Sequence, residues 1–281
     1  MDLFPKKFSR RHFMAVGAMG AFGYMRFGEP RWLEVGRVTA QFPGNETRRP
    51  LTLLQLSDFH ASNVVGLDLI ERSVQLALES CQPDLICLTG DFITWKWEQW
   101  DEYTAILAQL VSKAPTFACI GNHDGGAWAG SSKGYDDHTL VDQMLSAAGV
   151  TLLHNASSPF EHDGWKLNIV GVGDWWADEI EAAVAYRSID RTRPTILLSH
   201  NPDTKSELHV WPWDLMLSGH THGGQLSLPG IGTPFAPIRD KRYVRGLHRW
   251  NDRWLHITKG VGNLHGMRFN CRPEVSVLTL L

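Results

Sequence analysis

The sequence predicts an α/β protein, and two features of the chain support that prediction. From residue 50 onward, short apolar runs rich in β-forming residues alternate with stretches of helical periodicity. Each apolar run ends in polar residues and glycine. Alternating strands and helices favour parallel sheets, which place their functional sites at the carboxyl ends of the strands. We therefore expect the polar strand ends to gather along one edge.

Six apolar runs have the length of buried strands and carry most of this pattern. They are LTLLQL at 51–56, DLICLTG at 84–90, TFACI at 116–120, KLNIVGVG at 166–173, TILLSH at 195–200 and DLMLSG at 214–219. The last third of the chain differs, because no helical stretch separates its segments QLSLPGIG, RYVRGLHRW, RWLHITKG and VSVLTLL. These segments are typical of hairpin-connected strands, so we expect one domain with mixed sheets over residues 50–281.

The segment LDLIERSVQLALES has the clearest helical periodicity. Leu67, Ile70 and Val74 recur at helical spacing, and Pro83 follows the segment closely. The pattern predicts a helix over residues 67–80. Similar patterns predict further helices at 100–111, 139–148 and 178–186.

Residues 1–30 are typical of a targeting segment. Arg10 and Arg11, within SRRHFM, form a twin arginine of the kind that directs folded proteins to the Tat export pathway. The apolar stretch AVGAMGAFGYM then runs for 11 residues, which suits a signal peptide and falls short of the roughly 20 residues that span a bilayer. No A-x-A cleavage site follows, so the segment is either a Tat-like signal or a retained membrane tether.

The N-terminal segment thus predicts a protein that the Tat machinery exports to the cell envelope, with possible contact to the membrane surface. The alternative is a cytoplasmic, membrane-associated protein whose basic N-terminal arm lies on the membrane surface.

The charge of the chain argues against general nucleic-acid binding. The formal net charge is -3, but residues 1–31 carry six basic and two acidic groups, which leaves 21 basic and 28 acidic groups in the remainder. That remainder has a net charge of -7, and an acidic surface repels the phosphate backbone.

The cysteines and tryptophans complete the composition. Four cysteines without regular spacing do not form a disulfide framework, and Cys87 and Cys119 lie in apolar runs where we expect buried thiols. Twelve tryptophans is a high number, and several fall in TWKWEQW, DWW and WPW. Packing is the ordinary use of such residues, although they also line loop surfaces or contact lipid headgroups.

Polar residues with metal-binding capacity stand at the ends of successive predicted strands. They are Asp58, His60, Asp91, Asn122, His123, Asp124, His200, His220 and His222. Two pairs, D-x-H and H-x-H, have the i, i+2 spacing that points side chains to the same side of an extended segment. Each residue alone is explained by turn chemistry, but turn chemistry does not account for the whole set.

Carboxylate, amide and imidazole groups together suit divalent transition metals such as Mn, Fe, Co, Ni or Zn. The candidate ligands are too many for one tetrahedral ion. Two five- or six-coordinate ions that share a carboxylate would use them all. The sequence therefore predicts a centre with two metal ions per chain.

The order of these motifs, D-x-H, G-D, G-N-H-D, a histidine and G-H-x-H-G-G, resembles the calcineurin-like metallophosphoesterase superfamily. The segments HTHGGQLSLPG and RFNCRPEVSVL are similar to those of Tat-linked bacterial phosphodiesterases, a branch that also resembles UDP-2,3-diacylglucosamine hydrolases. The resemblance covers roughly residues 50–280 and implies a four-layer αββα double β-sandwich. The chain departs from a proline-bearing pattern of these relatives at His265 and Gly266.

The resemblance also implies an assignment of the metal ligands. One ion would be bound by Asp58, His60, Asp91 and His222. The other would be bound by Asp91, Asn122, His200 and His220. Asp91 would bridge the two ions.

The remaining candidates suit phosphoryl chemistry. Two ions about 3.5–4 Å apart bind both the attacking and the leaving oxygen of a displacement at phosphorus. His123 is not needed as a ligand, so we expect it to donate a proton to the leaving oxygen or to stabilise charge. Asp124 is expected to hold the other nitrogen of His123. Arg268 is a candidate contact for a phosphate oxygen. The alternative is that Arg268 is exposed and has no such role.

Three functions are consistent with this set. The first is a two-metal phosphodiesterase or phosphomonoesterase, and the closer resemblance favours diesters. The second is a pyrophosphate hydrolase that acts on an acylated UDP-sugar at the membrane. The third is a non-catalytic binding module, which the complete ligand set argues against.

Overall fold

The computed structural model describes residues 10–43 and 49–281. The first nine residues of the predicted targeting segment, including Ser9, lie outside the described residues. The strands are β1 (Glu34–Ala40), β2 (Leu51–Leu56), β3 (Leu85–Thr89), β4 (Thr116–Cys119), β5 (Thr151–Leu152), β6 (Ala156–His162), β7 (Trp165–Gly171), β8 (Thr195–Leu198), β9 (Leu215–Ser218), β10 (Gly246–Trp250), β11 (Arg253–Ile257) and β12 (Glu274–Leu280). The α-helices are α1 (Arg10–Gly23), α2 (Leu67–Ser80), α3 (Trp100–Val111), α4 (Gly126–Ser131), α5 (Thr139–Ala148) and α6 (Ala182–Ala185).

The strands form two six-stranded sheets. The first has the order β1-β12-β2-β3-β4-β5 and the second the order β10-β11-β9-β8-β7-β6. In the first sheet β2 to β5 are parallel, and in the second β7, β8, β9 and β11 are parallel. The predicted α/β class with mixed sheets is confirmed.

The two sheets and their flanking helices form four layers, and three apolar clusters lie between these layers. The first sheet packs one face against α2, α3 and α5. Its other face meets the second sheet, with Leu53 and Cys87 opposite Ile169 and Leu217. The outer face of the second sheet packs against α6 and short 3-10 turns. This is the expected αββα double sandwich. The central strands are apolar along their whole length because both of their faces are buried.

Three of the four predicted helices have the predicted bounds, and the fourth is shorter. The segment 178–186 contains only the single turn Ala182–Ala185. The residues before that turn follow a different path because the Asp174 carboxylate accepts the backbone N–H groups of Trp176 and Ala177. Asp178 also takes a φ of 60°, which a helix does not accommodate.

The last third of the chain is only partly as predicted. β10 and β11 form the expected antiparallel hairpin. QLSLPGIG contributes only isolated bridges, such as Leu228 with Gly232. The final strand β12 does not continue the hairpins but crosses to the other sheet, where it lies between β1 and β2. The sequence pattern did not reveal β1, which precedes residue 50 and pairs in parallel with β12.

Candidate metal centre

The carboxyl ends of β2, β3, β4, β8 and β9 meet at one edge of the double sandwich, and the predicted metal ligands lie there. Side chains from both sheets converge on this point, although they come from segments more than 160 residues apart in the chain. All seven are buried, with no more than 4% of any residue exposed: Asp58, His60, Asp91, Asn122, His200, His220 and His222.

The first group of ligands surrounds the Nε2 atom of His60. This atom lies 3.2 Å from Nε2 of His222 and 3.3 Å from Oδ2 of Asp91. Asp58 Oδ1 is 3.6 Å from the His222 nitrogen. Two ligand atoms about 2.1 Å from a common ion are roughly 3–3.5 Å apart, so these separations fit a shared metal ion.

The second group shares Asp91 with the first. Oδ2 of Asp91 lies 3.1 Å from Nε2 of His200, and donor atoms of Asp91, His200 and His220 fall within 4.8 Å of one another. Asn122 follows β4 at the same edge and is 1% exposed. The Asp91 carboxylate therefore stands between the two groups, where the resemblance placed a bridging ligand.

Several donor atoms of the centre lack a hydrogen-bond partner among the described residues. They are Oδ1 of Asn122, Nε2 of His200 and Nε2 of His220. A buried polar atom without a partner costs free energy, so such atoms are rare in native proteins. Coordination of metal ions would satisfy all three, and the mixed oxygen and nitrogen donors suit Mn, Fe, Co, Ni or Zn.

The backbone at the ligands is held in an uncommon conformation. Five of them take positive φ values: Asp58 (53°), His60 (51°), Asp91 (57°), His220 (68°) and His222 (49°). Non-glycine residues rarely occupy this left-handed region, and where they do the surrounding structure must enforce it, often at functional sites. The packing around the centre therefore fixes the orientation of these side chains against a local conformational cost.

Two glycines make the close packing at the centre possible. A Cβ atom on Gly121 would clash with Oδ1 of Asp91, and one on Gly219 would clash with Oδ2 of Asp58. Glycine allows this approach because it has no side chain. Any side chain at either position would displace a ligand carboxylate.

Hydrogen bonds to the protein fix the tautomers of two imidazoles. Nδ1 of His200 donates to the carbonyl oxygen of Thr89 over 2.7 Å. Nδ1 of His60 lies 3.1 Å from Oγ1 of Thr94, whose hydroxyl in turn donates to the His60 carbonyl. Both rings therefore carry a proton on Nδ1 and direct Nε2 at the centre, the orientation that metal-bound histidines have.

Burial sets the charge states of these groups. It lowers the pKa of His60 and His220 well below the ordinary value and that of His222 to about 3. Burial also raises the pKa of Asp91, but the nearby His200 and His123 outweigh it and bring that pKa well below its usual range. At neutral pH His60, His220 and His222 are thus neutral and Asp91 is ionised, the forms that bind metal. His200 differs: burial lowers its pKa, but the carboxylates of Asp91 and Asp58 outweigh burial and hold that pKa well above its ordinary value.

The family comparison agrees with this geometry. The profile of the calcineurin-like phosphoesterase family matches residues 51–224. The chain belongs to this family. The expected resemblance is confirmed, and the protein is a hydrolase that acts on phosphoester bonds.

Three relatives match nearly the whole chain. Phosphodiesterase YaeI of Escherichia coli is 39% identical, over 97% of this chain and 99% of its own length. The uncharacterized metallophosphoesterase YkuE of Bacillus subtilis is 29% identical over 98% of both chains. UDP-2,3-diacylglucosamine pyrophosphatase LpxG of Chlamydia trachomatis is 28% identical, over 90% of this chain and 91% of its own length.

His123 of this phosphoesterase lies next to the ligands and lines the cleft above them. Its backbone N–H donates to Oδ1 of Asp91 over 2.9 Å. Its ring stands edge-on to His60, with the centroids 5.0 Å apart. Nδ1 lies 3.0 Å from the carbonyl oxygen of Thr94, so the ring is oriented by a backbone carbonyl.

Asp124 does not orient His123, so the expected contact between them is corrected. Its carboxylate accepts four backbone N–H groups, those of Asp91, Phe92, Ile93 and Gly121, at 2.6–3.3 Å. These bonds hold the end of β3 and the turn after β4 together. Asp124 therefore positions the Asp91 backbone, and no sequence pattern signals this role because all four donors are backbone groups.

Arg268 is neither exposed nor directed at a phosphate, so both expectations for it are corrected. The residue is 0% exposed. Its guanidinium donates to the carbonyl oxygens of Lys259, Gly260, Gly262 and Cys271 at 2.6–3.2 Å. Arg268 thus fills the inside of the loop that it belongs to, and it has no accessible surface for a ligand.

A cleft of about 430 Å³ opens over the centre. Apart from the centre itself, its walls are mostly apolar: Trp128, Trp176, Leu226, Phe235, Leu264 and Met267. Trp176 stands edge-on to His220 with the ring centroids 4.3 Å apart. Trp128 stands edge-on to His123 with the ring centroids 4.5 Å apart. Packing was the expected role of the tryptophans in DWW, so the place of Trp176 at the cleft was not predicted. No sequence pattern singles out Trp128, because only the fold brings α4 to the cleft.

Proposed function

We propose that the protein is a phosphodiesterase that uses two metal ions. The observation that carries this proposal is the character of the cleft. Among the described residues, no lysine or arginine lines the cleft over the metal centre. A phosphodiester carries one negative charge, whereas a phosphomonoester carries nearly two at neutral pH. A cleft without lysine or arginine in its described walls favours the singly charged ester.

Different residues of the chain would bind the metal ions and transfer the proton in this reaction. When bound, the two ions supply Lewis-acid activation of the phosphorus centre and of the attacking water. Asp58, His60, Asp91 and His222 would hold one ion. Asp91, Asn122, His200 and His220 would hold the other. His123 in its imidazolium form would donate the Nε2 proton to the leaving oxygen, and its Nδ1–H bond to Thr94 keeps the ring in place.

The charge argument is tested with an aryl phosphodiester and an aryl phosphomonoester that share one leaving group. We expect the wild-type protein to have the higher kcat/KM for the diester. Phe235 is 68% exposed at the cleft, so Phe235→Arg adds a cation without disturbing the core. This variant should move the ratio toward the monoester, while the neutral control Phe235→Gln should not. A wild-type preference for the monoester would refute the proposal.

A second candidate is a pyrophosphate hydrolase for an acylated UDP-sugar. The apolar cleft favours it, because the indole and aliphatic walls offer a surface for acyl chains. The relative LpxG bears the name of such an enzyme. The acylated UDP-sugar should be cleaved with a higher kcat/KM than the same sugar without acyl chains. Equal values would remove this candidate.

We further propose that the N-terminal segment takes the protein to the cell envelope. Arg10 and Arg11 begin α1, and no residue of this helix is buried. Within residues 10–43 and 49–281, no helix has the length and apolarity to cross a membrane. The proposal therefore rests on the twin-arginine motif. The test is a fusion of residues 1–35 to a reporter that is active only after export in the folded state. Replacement of both arginines by lysine should abolish the activity of this reporter.

A further inference from the structure

The segment that follows α1 is part of the folded domain. Residues 24–31, which we call the brace, form short helical turns. Glu29 is only 1% exposed, and Pro30 is buried as well. A buried carboxylate requires hydrogen-bond donors around it, so the brace has specific partners in the domain.

Three of these partners lie in one loop. The Met25 carbonyl accepts the N–H of Arg268 at 2.9 Å. Nη1 of Arg26 donates to the Gly266 carbonyl at 3.2 Å. Oε1 of Glu29 accepts the N–H of Cys271. The brace therefore contacts residues 266–271 at three successive points.

The same loop forms one wall of the cleft and supports the ligands. Leu264, His265 and Met267 line the cleft. At one end of the loop, the N–H of Gly262 donates to the Asp58 carbonyl at 2.6 Å. At the other end, Sγ of Cys271 lies 3.1 Å from the His222 carbonyl. The position of this loop thus affects both the cleft and two of the candidate ligands.

The loop is held from two sides. Arg268 fills its inside with hydrogen bonds to backbone carbonyls, and the brace covers its outside. Gly266 has a φ of 65°, and a Cβ atom there would lie 2.6 Å from Nη1 of Arg26. Glycine at this position, where the chain departs from the proline-bearing pattern, lets Arg26 approach the backbone.

We propose that the brace is a permanent part of the enzyme and that Glu29 is a positioning residue for the cleft wall. The brace begins at the end of the apolar stretch at 15–25. A cut within residues 24–31 would remove part or all of the brace, and with it contacts to the loop. It follows that any removal of the N-terminal segment takes place before Tyr24, whether or not the protein is exported.

The test compares Glu29→Ala with Glu29→Gln. The glutamine variant retains a side-chain oxygen that accepts from Cys271, whereas the alanine variant does not. We expect E29A to raise KM for the aryl diester about tenfold, with kcat within about threefold and metal content unchanged, and E29Q to restore KM. Backbone hydrogen exchange in residues 262–272 should accelerate in E29A but not in E29Q. This measurement does not depend on enzyme activity. Glu102→Ala, an exposed change on α3, is the control.

A folded E29A protein with unchanged KM and unchanged exchange in the loop would overturn the proposal. If E29A does not fold, Arg26→Ala decides, because Arg26 contacts Gly266 directly. We expect R26A to raise KM about threefold and to accelerate exchange around Gly266, and no change in either would also overturn the proposal. Intact-mass analysis of active protein from cells should find a chain that starts no later than residue 24. An active chain that starts after Tyr24 would contradict this proposal.

Discussion

Nδ1 of His123 lies 3.0 Å from the carbonyl oxygen of Thr94, and this contact fixes the orientation of the ring at the wall of the cleft. A carbonyl oxygen only accepts, so the ring carries a proton on Nδ1 and keeps Nε2 for proton transfer in the cleft. A ring nitrogen of His123 lies within 4.8 Å of donor atoms of His60 and Asp91, and the ring also contacts Trp128 in the wall of the cleft. We assign His123 to proton transfer because the other seven residues complete both sets of ligands.

His123→Ala should therefore retain both metal ions and lose turnover. We expect kcat to fall by about 10²–10⁴, the usual contribution of a positioned proton donor. The loss should be smaller for aryl esters than for alkyl esters, because a nitrophenolate leaves without much protonation. Elemental analysis and rates on the two ester types check this prediction.

His220→Ala serves as the comparison for that variant. It removes a candidate ligand, so it should lose metal and fail equally on both ester types. If His123→Ala loses metal as His220→Ala does, His123 is a ligand and the division of roles is wrong.

Asp124→Asn should destabilise the protein more than it affects proton transfer. The carboxylate accepts four backbone N–H groups, and an amide would turn an NH₂ group toward two of them. We expect the free energy of unfolding of the metal-free protein to fall by about 2–4 kcal/mol. Urea denaturation measures it. A variant with normal stability would indicate that Asp124 acts in catalysis.

Arg268→Lys should also lower stability, since a lysine cannot reach all the carbonyl oxygens that the guanidinium contacts. The expected loss is about 2–4 kcal/mol in the metal-free, substrate-free protein. Unchanged stability would make Arg268 a candidate phosphate contact again.

His256 makes the stability of the protein depend on pH. Its Nδ1 lies 2.7 Å from Oε1 of Gln55, between the two sheets. Burial, with a smaller effect of His248, lowers the pKa of His256 from 6.5 to about 3. Below pH 6.5 the unfolded chain binds a proton that the folded chain does not, so stability falls as the pH drops from 6.5 toward 3, by up to about 1.4 kcal/mol per pH unit.

The pH effect is measured on the metal-free protein with denaturant titrations between pH 7 and pH 4. His256→Leu removes this proton, so its stability should fall less steeply with decreasing pH than that of the wild-type protein. The variant is less stable at pH 7 because Gln55 loses its partner, but the comparison uses the slopes. Parallel profiles would show that His256 does not contribute.

The sequence predicted that the candidate ligands lie at one edge, because each follows an apolar strand closely. The strand run and the polar residues after it are local features, and parallel strands bring their ends together. The roles of Asp124 and Arg268 were not predictable in this way. Their partners are mostly backbone groups, some of them far along the chain, and backbone groups leave no pattern in the sequence.

Two differences between the predicted and the observed fold have similar causes. The helix predicted at 178–186 is shorter because Asp174 caps the turn before it. The strand β1 has the mixed sequence EVGRVTA and lies at the edge of its sheet. An edge strand has no continuous apolar run, so its assignment required the partner β12, which is more than 230 residues away.

The measurement that tests the central claim most directly is a titration of the metal-free protein with Mn²⁺, during which hydrolysis of an aryl phosphodiester is followed. Asp91 stands between the two groups of donors, so we expect that activity needs both sites. We expect activity to rise mainly with the second equivalent of Mn²⁺ and to become constant at two ions per chain. Full activity at one ion per chain, or no diester hydrolysis at two, would contradict this expectation.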